Sequence, residues 1–463
     1  MTYNPENQFR CTIIRGKAKS DLDNLLAAYA KILDDICPAD PDEFAVRFNS
    51  ELTKFIPEST KKTLDNHRTE IAGKLFGMYF TDNDGIIYCS ERTKTFLNNN
   101  DQPFFFKDLC FKFQFPNGMD SFNNLEEKIN NKIKIRQFSY ILQLLLIAAG
   151  SEKYLTKDEV AFYVLNSLDV LRGEVSPNDV LEKILSDRAS GISRKVNYVG
   201  KASSYSMQHI NEQLNLLELS NLIRIISGTL VLNRKESESI QYMASQWDKP
   251  LGFDIYAYPL GTAEERAKMF MDWDRYYARI SDHALEKFVT RADALKYEPV
   301  SEQTIQAIRR GATNLVELGD EGEAFVYNYE KERVMRFDRN LVGKVRLLGK
   351  TKGLGYDIQS VIAENGDSAE FVKYLEVKST KRVTAPILED NGWLETINMT
   401  RNEWVAAQQH RGSYFIYRVY FTAEGVMIFV IGDPYQKNAD GKMKATPLTY
   451  RIDFNSLAVD FKI

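Results

Sequence analysis

Apolar residues recur along this chain in two rhythms. From Ser59 to Tyr79 a polar opening (Ser59, Thr60, Thr63) gives way to Leu64, Ile71, Leu75 and Met78, which fall on one face of a helix. Met78–Phe80 and Ile86–Cys89 then flank the turn Asp82-Asn-Asp-Gly85, which predicts a short hairpin. The same order returns further on. Thr156-Lys-Asp-Glu159 has capping-box spacing and opens a helix to about Leu168. Ser176-Pro177 joins a side-chain cap to a proline that needs no N–H partner, opening a helix to about Arg188. A third helix, from about Ser203, would bury Met207, Ile210, Leu214 and Leu217. Leu222–Ile226 and Thr229–Leu232 follow as strands around the Ser227-Gly228 turn.

Helix followed by hairpin is the end of a winged helix-turn-helix, so the first half is expected to be α+β with two winged-helix subdomains, residues 1–130 and 131–250. Residues 251–311 alternate helical patches with proline and glycine, and Ala263–Ile280 reads as an amphipathic helix, so this stretch is expected to be a helical linker. From about Ala312 the pattern becomes a helix followed by strands rich in Val, Ile, Tyr and Phe. Residues 312–463 therefore read as an α/β domain of ordinary size, a mixed sheet flanked by helices. The aromatic run Phe104–Phe115 reads as a buried strand pair rather than a surface for base stacking.

Composition narrows the field. With 44 % hydrophobic and 27 % charged residues the chain is globular rather than disordered, and no apolar run approaches membrane-spanning length. The opening Met1-Thr-Tyr-Asn-Pro-Glu lacks a secretory layout, so a cytoplasmic protein is expected. The four cysteines form no Cys-x-x-Cys pair and the four histidines no His-Glu-x-x-His, which argues against zinc chemistry. A net charge of −4 does not advertise a nucleic-acid partner. Locally the picture differs: Arg10, Arg15, Lys17 and Lys19 form a basic arm opposed only by Glu6.

The stretch that carries chemistry is Gly355-Tyr-Asp357-Ile, followed by Tyr374-Leu-Glu376-Val-Lys378. Both read as strands, joined by Glu364-Asn-Gly-Asp-Ser368, and strand alternation puts Glu376 and Lys378 on one face. A hairpin would bring Asp357 beside Glu376, and the preceding helix offers Glu321 and Glu323. Asp357 and Glu376, helped by Glu323, form a donor set for Mg²⁺, a hard cation that takes carboxylate oxygens and keeps several waters. Lys378 would steady the attacking water or the charge growing on a phosphate. A Glu-x-Lys triplet alone is more often a solvated strand face; the upstream Asp and acidic helix make the difference. Gly343-Lys-Val-Arg-Leu-Leu-Gly349-Lys-Thr351 imitates a phosphate loop, but five residues separate its glycines and no apolar helix follows, so ATP is not expected.

Duplex readers would stand on the helices before each hairpin. On the first these are Lys61, Lys62, Asn66, His67 and Arg68. On the second they are Lys201, Ser203, Ser204, Tyr205, Gln208, His209 and Asn211, whose amides and hydroxyls suit base edges while lysines suit phosphates.

Asp357, Glu376 and Lys378 resemble the motif of the PD-(D/E)XK nuclease superfamily, although Gly355-Tyr356 stands where a proline often precedes the Asp. As such folds usually have, Asn398-Met-Thr-Arg-Asn-Glu403 starts a helix and Tyr414–Phe421 supplies a further strand. Asn4-Pro-Glu, Gln8–Lys19, Lys61–Phe76, Gly200–Tyr205 and Met207–Asn215 resemble the BpuJI-like type IIS restriction endonucleases. That resemblance implies a recognition half reading a short asymmetric site in double-stranded DNA. It also implies a Mg²⁺-dependent nuclease similar to archaeal Holliday-junction resolvases that cuts nearby as a homodimer. Two other functions fit the same residues: a winged-helix regulator with a non-catalytic, nuclease-like dimerisation domain, and a resolvase-like structure-specific nuclease.

Overall fold

The computed structural model describes every residue except 1–2, 15–18, 197–200, 281–286, 296–317, 350–352, 364–370, 389–392, 448–449 and 463. The first predicted hairpin is β1 (Tyr79–Thr81) and β2 (Ile87–Cys89), antiparallel with Phe80 opposite Tyr88. Its helix starts at Lys61 under a Thr60 cap and widens at His67 to π geometry that runs to Leu75. In the second, β3 (Leu155–Thr156) and β4 (Ile223–Ile226) flank β5 (Thr229–Leu232). The capping boxes at Thr156 and Ser176 both form. The helix opened at Ser176 is Pro177–Ala189, and the third is Lys201–Leu219. Ala263–Ala278 is helical too, closed at its start by a further box between Thr262 and Glu265.

Phe104–Phe115 corrects the reading of a strand pair: Gln102–Lys112 is a helix. Asp101 caps it and Pro103 fits its first turn, while nearly every side chain is buried. A helix buried all round carries the same unbroken apolar run as a buried strand, so periodicity could not separate them.

Buried apolar side chains from Cys11 to Phe288 form one continuous cluster, so the two hairpin units and Ala263–Ala278 share a core. A charge is buried within it. Arg92 Nε lies 2.8 Å from Asp108, its Nη1 donates to the Phe76 carbonyl at 2.7 Å, and the guanidinium rests over the ring of Tyr277. Both partners are inaccessible to solvent, so the pair fixes the helix Gln102–Lys112 against its neighbours more than it adds net stability.

The C-terminal half is built on a six-stranded sheet. Its strands are β6 (Arg346–Leu347), β7 (Ile358–Val361), β8 (Val372–Lys381), β10 (Tyr414–Thr422), β11 (Gly425–Gly432) and β14 (Phe461–Lys462), in the order β14-β11-β10-β8-β7-β6. Within it β8 and β10 run parallel; the other pairs are antiparallel. A separate three-stranded sheet joins β9 (Glu395–Met399), β12 (Met443–Pro447) and β13 (Tyr450–Phe454) in the order β12-β13-β9. Side-chain alternation divides the large sheet into two layers. Leu375, Val377, Tyr417 and Val419 pack with Val326 and Val334 of the helix Leu318–Phe337. Ile416 and Tyr420, on the other face, pack with Trp404 and Ala407 of the helix Arg401–His410. The halves meet where the Asn100 carbonyl accepts from Lys381 N and Thr380 Oγ1, each at 3.1 Å.

Candidate active site

Asp357 stands at the entrance of β7. Its N–H donates to the Leu375 carbonyl at 2.8 Å, and its Oδ2 accepts the Val377 N–H at 2.8 Å, so both ends of the residue are tied to β8. Gly355 makes this approach possible: its φ is +74°, and a Cβ there would lie 2.4 Å from the Asn402 carbonyl oxygen. Its carbonyl accepts the Tyr414 hydroxyl at 2.8 Å.

Glu376 and Lys378 share one face of β8, opposite Ile416 and Arg418 of β10. Lys378 Nζ lies 2.6 Å from Glu376 Oε1 and 2.9 Å from Glu403 Oε2. Glu376 is only 2 % exposed. Burial pushes its carboxyl well above the usual range against the pull of Lys378, and Asp357 and Glu403 push the same way. Burial raises Asp357 as well. Burial would lower Lys378, yet Glu376 and Glu403 outweigh it and hold the ammonium charged. Three carboxyl groups therefore face one ammonium in a dry setting, and burial makes Asp357 and Glu376 hold protons more tightly than free carboxyls.

The predicted helper Glu323 stands elsewhere. Its helix Leu318–Phe337 lies on the Val377 face of the sheet, Gly322 abutting Ser379, and its carboxylate lies against Gly349. Glu321 is paired with Lys381 at 2.8 Å. Among the described residues no group of three or more His, Cys, Asp or Glu side chains converges as a metal site. The residue that sequence reasoning missed is Glu403. Its capping box with Thr400 was readable as the start of a helix; that the helix start faces Lys378 was not.

The expected duplex readers separate into groups. Lys61, Lys62, Asn66 and Gln208 are exposed and Asn211 is half-buried. His67 is buried beneath the Tyr29 hydroxyl, and His209 is buried with Nδ1 accepting the Ile13 N–H at 3.3 Å, which corrects both as surface contacts. Arg68 is engaged by Asp65 at 2.7 Å and Asn49 at 2.8 Å, and Lys19 by Glu218 at 3.2 Å. Arg10 is exposed. Arg15 and Lys17, and the side chains of Lys201, Ser203, Ser204 and Tyr205, lie outside the described residues.

A family model for restriction endonuclease BpuJI, N terminal, matches residues 3–274, more than half the chain. The chain belongs to the BpuJI N-terminal family. It is similar, at 55 % identity with a TM-score of 0.59, to a solved structure described as pyrene- and phenanthrene-modified DNA in complex with the BpuJ1 endonuclease binding domain. That likeness covers 60 % of this chain and 100 % of the other. A second family, protein NO VEIN, C-terminal, matches residues 322–431, a span that holds Asp357, Glu376, Lys378 and Glu403. No curated protein matches. Among the described residues no helix is long and apolar enough to cross a membrane.

Proposed function

We propose that this chain is a type IIS restriction endonuclease, whose N-terminal half binds a short asymmetric site in double-stranded DNA and whose C-terminal domain hydrolyses phosphodiester bonds nearby. The observation that carries the reading is the meeting of Asp357, Glu376 and Lys378 on one sheet in a chain whose other half belongs to a restriction-endonuclease family. In this reading residues 1–130 and 131–250 are winged-helix readers, 251–311 a connection and 312–463 a PD-(D/E)XK nuclease domain.

Mg²⁺ fits the donor set. The excess of acids over ammonium suits a divalent charge, and this ion is commonly held by one or two carboxylates completed by waters and substrate phosphate. Asp357 and Glu376 would hold it; when bound it neutralises phosphate charge and makes a coordinated water more acidic. Lys378 donates hydrogen bonds from Nζ toward the reacting phosphate oxygens or the attacking water, and its raised pKa keeps it a donor. One nuclease domain cuts one strand, so cutting both calls for a second copy, which makes a homodimer part of the proposal.

The test is plasmid DNA incubated with Mg²⁺ and either the wild type or Glu376→Ala. Discrete fragments from the wild type alone support the proposal. A smear would replace it with a structure-directed nuclease, and site binding without cutting with a regulator.

A further inference from the structure

Lys378 of the proposed triad touches two acids, and the second belongs to none of the predicted site residues. Glu403 reaches it from the first turn of the helix Arg401–His410. There Glu403 is doubly fixed: its Oε2 accepts the Thr400 N–H at 2.9 Å, and its own N–H donates to Thr400 Oγ1 at 3.3 Å. The start of this helix is in turn held near Asp357, because the Gly355 backbone lies directly under the Asn402 carbonyl. Asp357, Lys378 and Glu403 are thus mounted on one seam between loop, strand and helix.

Glu376 has two demands on it. As a cation ligand it would share its carboxylate oxygens with the cation, and one of them, Oε1, now lies 2.6 Å from the ammonium. A lysine with four rotatable bonds and no other anchor would then be free to swing. Glu403 supplies the other anchor, 2.9 Å from the same nitrogen and made rigid by its cap.

We infer that Glu403 is the positioning residue for Lys378, holding the ammonium at the reacting phosphate when Glu376 is committed to the cation. The inference rests on the nuclease reading above. It differs from a capping role in what it needs: a helix cap needs only an acceptor, whereas holding an ammonium needs a charge.

Glu403→Gln separates the two, since its amide oxygen can still accept the Thr400 N–H. Thr400→Ala is the converse control: it weakens the cap and leaves the contact with Lys378 in place. The assays are single-turnover cleavage across a Mg²⁺ titration, and labelling of Lys378 in metal-free protein by an amine-acetylating reagent, read by peptide mass spectrometry. Glu403→Gln should slow cleavage by about tenfold to a hundredfold, with the Mg²⁺ midpoint unmoved, and should speed labelling of Lys378. Thr400→Ala should do neither. Wild-type cleavage and labelling in Glu403→Gln would overturn the inference. So would a slower rate that is restored at high Mg²⁺, which would make Glu403 a cation ligand. If the wild type does not cut at all, the nuclease proposal fails by itself, and labelling alone still decides whether Glu403 holds Lys378.

Discussion

Glu376→Gln separates the stability of the C-terminal domain from its chemistry. Glu376 is 2 % exposed and shares its ammonium with Glu403, so its charge is buried and only partly answered. Taking a carboxylate out of water costs several kcal/mol even after the protein relaxes. An amide of the same shape still accepts a hydrogen bond from Lys378, at about half the strength of the charge-assisted one, a loss of about 1 kcal/mol. The first quantity is larger, so the metal-free variant should be more stable than the wild type, by about 1–2 kcal/mol. In a domain of this size that is a rise in Tm of about 3–6 °C. The sign with pH follows from burial, which raises the folded carboxyl. The folded protein keeps a proton that the unfolded chain has lost, so wild-type stability is full below about 4.3 and falls as pH climbs through the raised value. The gap should therefore close near about pH 4.5 and be open at about pH 8.5, and calorimetry in a chelator reads it directly. Mg²⁺ should narrow it by stabilising the wild type alone, while the variant does not cleave DNA. A variant that melts below the wild type at the higher pH in chelator would refute the reasoning, leaving Glu376 as one arm of a structural ion pair.

Gly355→Ala should cost cleavage at least about a hundredfold while site binding persists in a gel-shift assay, because the new Cβ meets the Asn402 carbonyl at 2.4 Å in a left-handed backbone. Lys112 is buried against the Tyr276 and Arg279 carbonyls, and burial lowers its ammonium to about 8. The folded chain thus sheds this proton first, and urea midpoints should show the wild type gaining stability over Lys112→Met as pH rises from about 8 to about 10.4, by up to about 3 kcal/mol. Lys61→Ala and Lys62→Ala, at exposed positions, should weaken binding to all sequences alike and each flatten the plot of log affinity against log salt by about 0.9, measured by fluorescence anisotropy. His67→Ala should act on stability instead: it removes a buried imidazole that bonds the Tyr29 hydroxyl and should cost about 1–3 kcal/mol in chemical unfolding, with base preference unchanged.

What was legible in the sequence was local. The box at Thr156, the cap at Ser176 and the turn between β1 and β2 each depend on residues a few positions apart, and all of them form. The β7–β8 pairing was legible too, because alternation fixes which side chains share a face once the turn is recognised. The duplex contacts expected on the helices were less so. A helical pattern tells which face is apolar, not what covers the rest, and His67 and His209 stand on polar faces that Tyr29 and the N-terminal arm at Ile13 happen to cover.

The acids of the C-terminal domain show the same limit in its most consequential form. Glu323 and Glu403 both sit near the start of a helix, and both are plausible third carboxylates by sequence separation from Glu376 alone. What divides them is the layer. The helix Leu318–Phe337 covers the face of β8 that carries Val377, while Arg401–His410 covers the face that carries Glu376 and Lys378. Strand alternation assigns Glu376 to a face, but only the packing of Trp404 and Ala407 against Ile416 says which helix comes to that face. A carboxylate three residues into that helix then meets Lys378 as a consequence of the apolar contacts beneath it. The contact at 2.9 Å is therefore a product of the core, and substitutions at Trp404 should disturb it as surely as substitutions at Glu403 itself.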